Sequence, residues 1–176
     1  MAWWIMKIID NALDQNYFDE LVEKFTSPYF PYFLNKVNRT AHEMQFTHAI
    51  YFRNEPQSDA YELIQPLLNK LNVCSLVRCK INMMPRTEII KENEFHVDIE
   101  NAPENLKTAL LYLNTNNGYT ILKDKWRDDI TERVDSVANR ILRFDAHIQH
   151  TGTTNTCDAR YRHVLNIDYF EATDER

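Results

Sequence analysis

The sequence predicts a mainly β protein with flanking helices: a double-stranded β-helix, or cupin-like jelly roll, with N-terminal helices packed on one sheet. Two observations lead to this prediction. Short runs of strand-forming residues follow one another from about residue 75 to residue 170, separated by turn signals such as Pro85 and Gly118. Two stretches with apolar residues at helical spacing precede them. Eight short strands in so short a stretch are typical of a double-sheet jelly roll.

The length of 176 residues suits one domain, and no linker-like segment divides the chain. We therefore expect a single domain over 1–176, with helical support over about 1–74 and a jelly-roll core over about 75–170. The composition, 44% hydrophobic and 12% aromatic, is that of a globular protein with a sizeable core.

Composition also excludes several function classes. Only 2 glycines are present, which argues against a Gly-rich phosphate loop. A net charge of -6 argues against nucleic acid as a partner, because phosphate backbones are bound by clustered cations. The 3 cysteines form no C-x-x-C pair, which favours reduced thiols and a cytoplasmic location. No apolar run is long enough for a membrane span, and the start does not resemble a signal peptide.

The N-terminal elements follow from periodicity and helix-breaking residues. Leu13, Phe18, Leu21, Val22 and Phe25 recur at helical spacing, which predicts an amphipathic helix from Asp14 to Phe25. Pro66 should make a second helix start late or kink. The remaining predictions are a short strand over 3–9, an irregular aromatic-rich connection over 27–45, a strand over 46–52 and the second helix over 58–71.

The β half is divided by turn signals into runs of four to ten residues. The predicted strands are 75–84, 94–99, 107–114, 118–123, 131–137, 140–145, 147–151 and 161–170.

One predicted strand carries a candidate metal site. Side chains two apart on a strand share a face, so His96 and Asp98 would point the same way, with Phe95, Val97 and Ile99 packed behind them. A histidine and a carboxylate are two-thirds of the 2-His-1-carboxylate triad of non-haem Fe(II) oxygenases. His150 and His147 are the candidates for the missing histidine. We favour His150, because Gly152 lets its strand leave the site without a side-chain clash.

A second group of residues is suited to a carboxylate ligand. Arg162 opens an apolar strand, and a buried guanidinium there would need an anion, which it can bind through two parallel donors. Tyr112 could donate a phenolic hydrogen bond to the same anion, and Arg160 is the alternative anchor. The inferred pocket holds iron at one end and the far carboxylate of a dicarboxylate at the other, as 2-oxoglutarate requires.

These segments together resemble the Fe(II)/2-oxoglutarate-dependent dioxygenases, and in particular the small prolyl-4-hydroxylase-like branch that also occurs in phages and marine bacteria. The resemblance covers about residues 76–170, and its specificity lies in the order and spacing of the motifs. The matching segments are Pro85–Glu88, Phe95–Asp98, Leu111–Asn114, Asn116–Thr120, Ala138–Asp145, His150–Gly152 and Arg162–Phe170.

The resemblance implies a role for each matching position. His96, Asp98 and His150 match the iron ligands, Arg162 matches the residue that pairs with the distal carboxylate of 2-oxoglutarate, and Tyr112 matches the tyrosine that assists it. Asn82 or Met84 falls where many members contact the other end of the co-substrate. Met84 departs from the tyrosine usual there.

The resemblance further implies the cofactors and the reaction. The cofactors are Fe(II), 2-oxoglutarate as co-substrate and O2, with ascorbate as a supporting reductant. Succinate and CO2 are the co-products, and the substrate is a peptide, protein or small molecule, with a prolyl or other peptidyl or amino-acid side chain favoured. The alternatives are the same chemistry on a nucleic-acid base or small metabolite, or a non-catalytic jelly-roll binding protein.

Three loops could select the substrate at the open end of the barrel: 27–45, 86–94 and 124–130. Trp126, in the last of them, could touch a substrate, and 86–94 could form a lid. A phage origin would place the protein in the host cytoplasm. The sequence carries no signal for an oligomeric state.

Overall fold

The computed structural model describes residues 6–36, 44–123 and 131–172. Antiparallel strands dominate these ranges and form two sheets, as the sequence predicts. The helices are α1 (Gln15–Thr26), α2 (Ala60–Leu63) and α3 (Gln65–Lys70). The strands are β1 (Lys7–Ile9), β2 (Phe33–Lys36), β3 (Met44–Phe52), β4 (Glu55–Pro56), β5 (Val73–Pro85), β6 (Leu106–Tyr112), β7 (Tyr119–Lys123), β8 (Thr131–Asp135), β9 (Arg140–Asp145), β10 (Gln149–Gly152) and β11 (Tyr161–Glu171).

The large sheet has the order β1-β9-β6-β11-β5-β3-β2, with β4 paired to β3. Its central strands β5 and β11 place Met84 opposite Arg162 and Arg78 opposite Asp168. Alternate side chains of β11 face opposite sides of the sheet, as the pleat requires. Leu165 therefore packs with the apolar residues on the helix side, whereas Val164 faces the small sheet.

The small sheet has the order β10-β7-β8 and closes over the inner face of the large one. Apolar side chains from both sheets fill the space between them, as expected for facing sheets whose residues alternate inward and outward. They are Leu110, Tyr112, Leu122, Val134, Leu142, Phe144, Ile148 and Val164. This inner layer supports the site described below.

The helices cover the outer face of the large sheet, as predicted. Asp14 caps α1 by accepting hydrogen bonds from the backbone of Asn16 and Tyr17, and Phe18, Leu21 and Phe25 are buried against the sheet. The predicted second helix is interrupted as its proline implied. It divides into α2 and α3, with Pro66 in the first turn of α3, where its missing N–H costs no hydrogen bond.

The connection predicted to be irregular contains a strand. β2 pairs with β3, which itself begins at Met44 rather than at residue 46. Phe33 and Leu34 are both more than half exposed, at 64% and 60%. The alternation that identifies a half-buried strand is therefore missing from this edge strand.

The stretch 94–99 is not a regular strand, contrary to the prediction. Within it, only His96 forms a bridge, to His150, and Glu92 forms another with Thr153 just before it. Phe95 is 37% exposed rather than packed behind the site. Residues 91–96 form an extended strap whose backbone bonds to residues 150–154 at Lys91, Asn93 and His96, without the continuous ladder of a regular strand.

None of the helices in the described ranges has the length and apolar character of a membrane span. Cys74, Cys79 and Cys157 are all free thiols.

Candidate active site

The structure brings His96, Asp98 and His150 together between the two sheets. One potential ligand atom from each lies within 4.8 Å of the others. The backbones of the two histidines hydrogen-bond each other in both directions, at 3.0 Å and 2.9 Å, so the strap and β10 position both imidazoles. The described residues contain no other such cluster, and His147 lies in the turn before β10, outside it.

Both imidazoles are held so that the same ring nitrogen faces the centre. Nδ1 of His96 is 3.1 Å from the Glu94 carbonyl, and Nδ1 of His150 is 3.3 Å from the Ile148 carbonyl. A carbonyl can only accept, so Nδ1 of each ring donates to it, and Nε2 of each ring faces the centre, where a metal would bind. Burial, followed by the neighbouring His150, lowers the pKa of His96, which favours the neutral form that binds metal.

The Asp98 carboxylate is held by groups on β5, β10 and β11. Oδ1 lies 2.6 Å from Arg78 Nη2 and 3.3 Å from Lys80 Nζ. Oδ2 accepts from Asn166 Nδ2 at 2.7 Å and lies 3.2 Å from His150 Nε2. Burial alone would raise the pKa of Asp98, but Lys80, His150 and Arg78 lower it well below its usual range. The carboxylate is therefore ionised and correctly charged for a metal ligand.

Arg78 links this carboxylate to a second, fully buried one. Its guanidinium contacts Asp168 Oδ2 through Nε at 2.9 Å and Nη2 at 2.8 Å. Thr108 donates to the other oxygen of Asp168 at 2.8 Å. Burial and the nearby Asp98 raise the pKa of Asp168. The large sheet thus supports the site with a buried charge network.

Arg162 lies in the same cavity, and within the described residues no carboxylate pairs with it. It is 2% exposed, and its guanidinium donates to Ser136 Oγ at 2.7 Å and Thr120 Oγ1 at 3.0 Å. The carboxylates of Asp168 and Glu171, its conceivable partners along β11, are taken by Arg78 and Arg143. A buried guanidinium with hydroxyl partners alone is a strong candidate for binding an anion.

The other residues proposed to contact the co-substrate occupy different positions. Asn82 lines the cavity, is 9% exposed and has an unpartnered Oδ1, and Met84 lines the same wall. Tyr112 is fully buried beneath Arg162 and donates to Thr120 Oγ1 at 2.8 Å, so its direct contact with an anion stays a prediction. Arg160 is exposed and does not line the cavity.

The described residues fit a divalent metal and a dicarboxylate in charge and donor type. Two imidazoles and one carboxylate suit a transition metal, and the opposite end offers a cation without a counter-charge. The cavity has a volume of about 50 Å³ and is open to solvent at one side.

Sequence reasoning missed the groups that hold Asp98. Arg78, Lys80 and Asn166 lie 20, 18 and 68 residues from it along the chain. A usable signal was present, because polar residues occupy alternate positions of otherwise apolar strands, at Asn166 and Asp168 in β11 and at Arg78 and Lys80 in β5. Such positions face a buried polar site. Trp126 with its loop 124–130, and residues 37–43 of the loop 27–45, lie outside the described residues.

Comparison with solved structures identifies the architecture. A 2OG-Fe(II) oxygenase family oxidoreductase from Burkholderia pseudomallei superposes with a TM-score of 0.69 at 13% identity, over 97% of this chain and 86% of that one. The chain has the fold of these oxygenases. The predicted jelly roll, and with it the fold implied by the resemblance, is confirmed.

Two further solved structures share this fold. A prolyl hydroxylase from Trichoplax adhaerens, solved with a hypoxia inducible factor peptide fragment, gives a TM-score of 0.65 at 17% identity over 94% of this chain and 83% of that one. The epimerase SnoN, in complex with Fe3+, alpha ketoglutarate and nogalamycin RO, gives 0.68 at 14% identity over 96% and 79%. No protein-family model and no curated protein sequence matches the chain.

Proposed function

We propose that this protein is an Fe(II)- and 2-oxoglutarate-dependent dioxygenase that hydroxylates a prolyl or other peptidyl or amino-acid side chain. One observation carries the proposal. A His96–Asp98–His150 cluster and a buried Arg162 without a carboxylate partner line one cavity between the sheets of an oxygenase fold. Neither feature would be decisive alone, but together they match the two ends of a metal-chelating dicarboxylate.

Each residue has a defined role in this proposal. The three ligands would hold the metal on one face, and Arg162, steadied by Ser136 and Thr120, would bind the distal carboxylate and so fix the orientation of the co-substrate. Iron supplies the oxygen chemistry when bound, with 2-oxoglutarate oxidised to succinate and CO2. The apolar layer between the sheets limits water around the reacting groups.

Two of the solved structures bear on the choice of substrate. The Trichoplax relative is solved with a peptide fragment, which supports a peptide substrate. SnoN is solved with nogalamycin RO, so the same chemistry on a small metabolite is the second candidate. The net charge of -6 argues against nucleic acid, and the free cysteines support a reducing compartment such as the cytoplasm.

The test is succinate formation from 2-oxoglutarate under air, with Fe(II) and ascorbate. We expect turnover in the wild type, its loss in His150→Ala, and a greatly weakened affinity for 2-oxoglutarate in Arg162→Ala. His147→Ala and Arg160→Ala are the matched controls, because each removes a nearby residue of the same type that lies outside the cluster and cavity. Controls as impaired as the site variants would contradict the residue assignments.

A wild type without turnover would be tested for anaerobic binding of Fe(II) and 2-oxoglutarate, since an oxygenase can require its substrate for turnover. Failure to bind either would overturn the proposal in favour of a non-catalytic binding protein. With turnover established, mass spectrometry of a peptide panel and of small metabolites should reveal a gain of one oxygen atom, and the class that gains it identifies the substrate.

A further inference from the structure

Lys80 is a cation in the cavity for which the proposed chemistry has no use. It lies on β5, lines the same cavity as the metal cluster, and its side chain is 22% exposed. Its Nζ is 3.3 Å from Asp98 Oδ1, but Arg78 contacts the same oxygen at the shorter distance of 2.6 Å. Arg78 alone can therefore hold Asp98 in place.

A bound metal would weaken the hold of Asp98 on Lys80. A divalent cation on the carboxylate shares its negative charge and repels an ammonium group a few Å away, and Coulomb interactions are strong in a partly buried site. Arg78 keeps a second partner in Asp168, whereas Asp98 is the only acidic residue among the cavity-lining residues that the structure describes. Lys80 would then lack an anion within the cavity.

The charges of the loaded site lead to the same conclusion. The two positive charges of the metal would be matched by the two carboxylates of 2-oxoglutarate. Asp98 offsets Arg162, and Asp168 offsets Arg78. Lys80 remains as one uncompensated positive charge, which is costly in a partly buried site unless another anion binds there.

The position of Lys80 separates it from the distal anchor. Lys80 pairs with Asn166 in the sheet, and Met84 pairs with Arg162. These two positions are four residues apart along the strand, a distance of about 13 Å. Lys80 therefore belongs to the metal end of the cavity, and not to the end where the distal carboxylate would bind.

A hydrogen-bond acceptor near Lys80, the side-chain oxygen of Asn166, indicates a second group that the ligand of Lys80 should carry. Asn166 donates its Nδ2 to Asp98, which fixes the orientation of its amide, and its Oδ1 is buried without a hydrogen-bond partner. A ligand that presents a carboxylate to Lys80 and an N–H to Asn166 Oδ1 would satisfy both groups, and Asn82 remains for the co-substrate.

We propose that Lys80 binds a carboxylate of the primary substrate, so that the enzyme acts on an acidic peptide segment or an N-acylated acidic amino acid. This inference rests on the proposed function, since it assumes that metal and 2-oxoglutarate occupy the rest of the cavity. Lys80 is a specificity-determining residue here, and Arg162 remains the anchor for the co-substrate.

The test uses full-length protein labelled with 13C at lysine Cε, loaded with Zn(II) in place of iron and saturated with 2-oxoglutarate. Acetate is the probe and acetamide its uncharged control. The Lys80 signal is assigned by its absence in Lys80→Arg. We expect acetate to shift this signal saturably, acetamide to leave it unmoved, and metal-free protein to respond more weakly because Asp98 still holds Lys80.

The affinity for 2-oxoglutarate is measured in parallel in Lys80→Met. Lys107→Met is the matched control, because Lys107 is similarly buried and pairs with Asp145 away from the cavity. With Zn(II) saturating in every sample, we expect both variants to bind 2-oxoglutarate as the wild type does, because Arg78 and Asn166 still hold Asp98 in Lys80→Met. A loss of about tenfold or more in Lys80→Met alone would assign Lys80 to the co-substrate and overturn the inference, since a charge-assisted hydrogen bond contributes about that much.

The two proposals fail in different ways. An absent or non-saturating acetate response in protein that binds Zn(II) and 2-oxoglutarate would overturn the role of Lys80 alone. Wild-type protein that binds neither Zn(II) nor 2-oxoglutarate would overturn the proposed function, and the inference about Lys80 with it.

Discussion

At the scale of single residues, Asp98 has the most demanding role in the site. Its two oxygens lie close to Arg78, Lys80, Asn166 and His150, and the side chain is only 3% exposed. Arg78 and Asn166 fix the orientation of this carboxylate, and losing such a group commonly weakens metal affinity tenfold or more. Arg78 matters most, because it also neutralises Asp168.

Arg78→Met should therefore destabilise the protein by about 3–5 kcal/mol, because it leaves two buried carboxylates without their shared cation. Urea unfolding of the metal-free protein measures this change. Arg143→Met is the control, since Arg143 pairs with Glu171 at a more exposed site, where an ion pair contributes about 1 kcal/mol or less. An equal loss of unfolding free energy in the two variants would contradict a larger contribution from the buried network.

His163 should make the fold sensitive to acid. Its imidazole is 6% exposed beside the rings of Tyr32 and Tyr161, and burial lowers its pKa from 6.5 to about 4. As the pH falls below 6.5, the unfolded chain takes up this proton before the folded protein does. The contribution of neutral His163, up to about 3 kcal/mol, is therefore lost as the pH falls towards 4.

His163→Phe should remove this part of the acid sensitivity, because the phenyl ring takes up no proton. The measurement is urea unfolding at several pH values between 7 and about 4, in parallel for variant and wild type. The slopes of stability against pH should diverge below pH 6.5, and the other histidines affect both proteins equally. Parallel slopes would count against a buried, neutral His163.

At the scale of elements, two glycines make room for Arg162. A Cβ on Gly118, just before β7, would lie 2.8 Å from the Thr154 carbonyl oxygen and 2.9 Å from Arg162 Cδ. A Cβ on Gly152, in β10, would lie 3.2 Å from Arg162 Nη1 and 3.4 Å from Met84 Cε. Neither glycine has a positive φ, so space rather than backbone conformation requires them.

Gly118→Ala should lower stability by about 1–3 kcal/mol and weaken 2-oxoglutarate binding, because the backbone of Thr154 cannot move aside cheaply. Gly152→Ala should have a smaller effect on stability, since the atoms in its way are the flexible ends of two side chains. Urea midpoints and dissociation constants for 2-oxoglutarate measure both effects. A larger loss of stability in Gly152→Ala than in Gly118→Ala would contradict this role of the two glycines beside Arg162.

At the scale of the whole molecule, the sequence predicts the central strands of the large sheet well, and its edge strand β2 and the strap around His96 poorly. β5 and β11 contain long alternating runs, and their bounds differ from the predicted ones by two residues or fewer at each end. β2 was missed because both neighbouring apolar residues, Phe33 and Leu34, are exposed. The strap around His96 was mistaken for a strand, because extended backbone has the same side-chain period with or without ladder bonds.

The sequence also predicts some residues of the candidate site and misses others. His96, Asp98, His150 and Arg162 stand out because each has a local motif. Alternation marks Arg78 and Asn166 as facing a polar site, but which ligand each of them holds depends on the register between strands distant in the chain, which local patterns do not encode. The function assigned to all of them stays a proposal.

The reciprocal backbone bonds between His96 and His150 have a consequence for local unfolding. Each histidine donates its amide hydrogen to the carbonyl of the other, and the next backbone bond of the strap, from Asn93 to the Gly152 carbonyl, lies three residues away. Detaching the strap would expose both amides in one opening event, so their hydrogens should exchange with deuterium at matched rates. A metal bound to both rings would join the strap to β10 by a second connection, so both exchanges should slow together when metal is added.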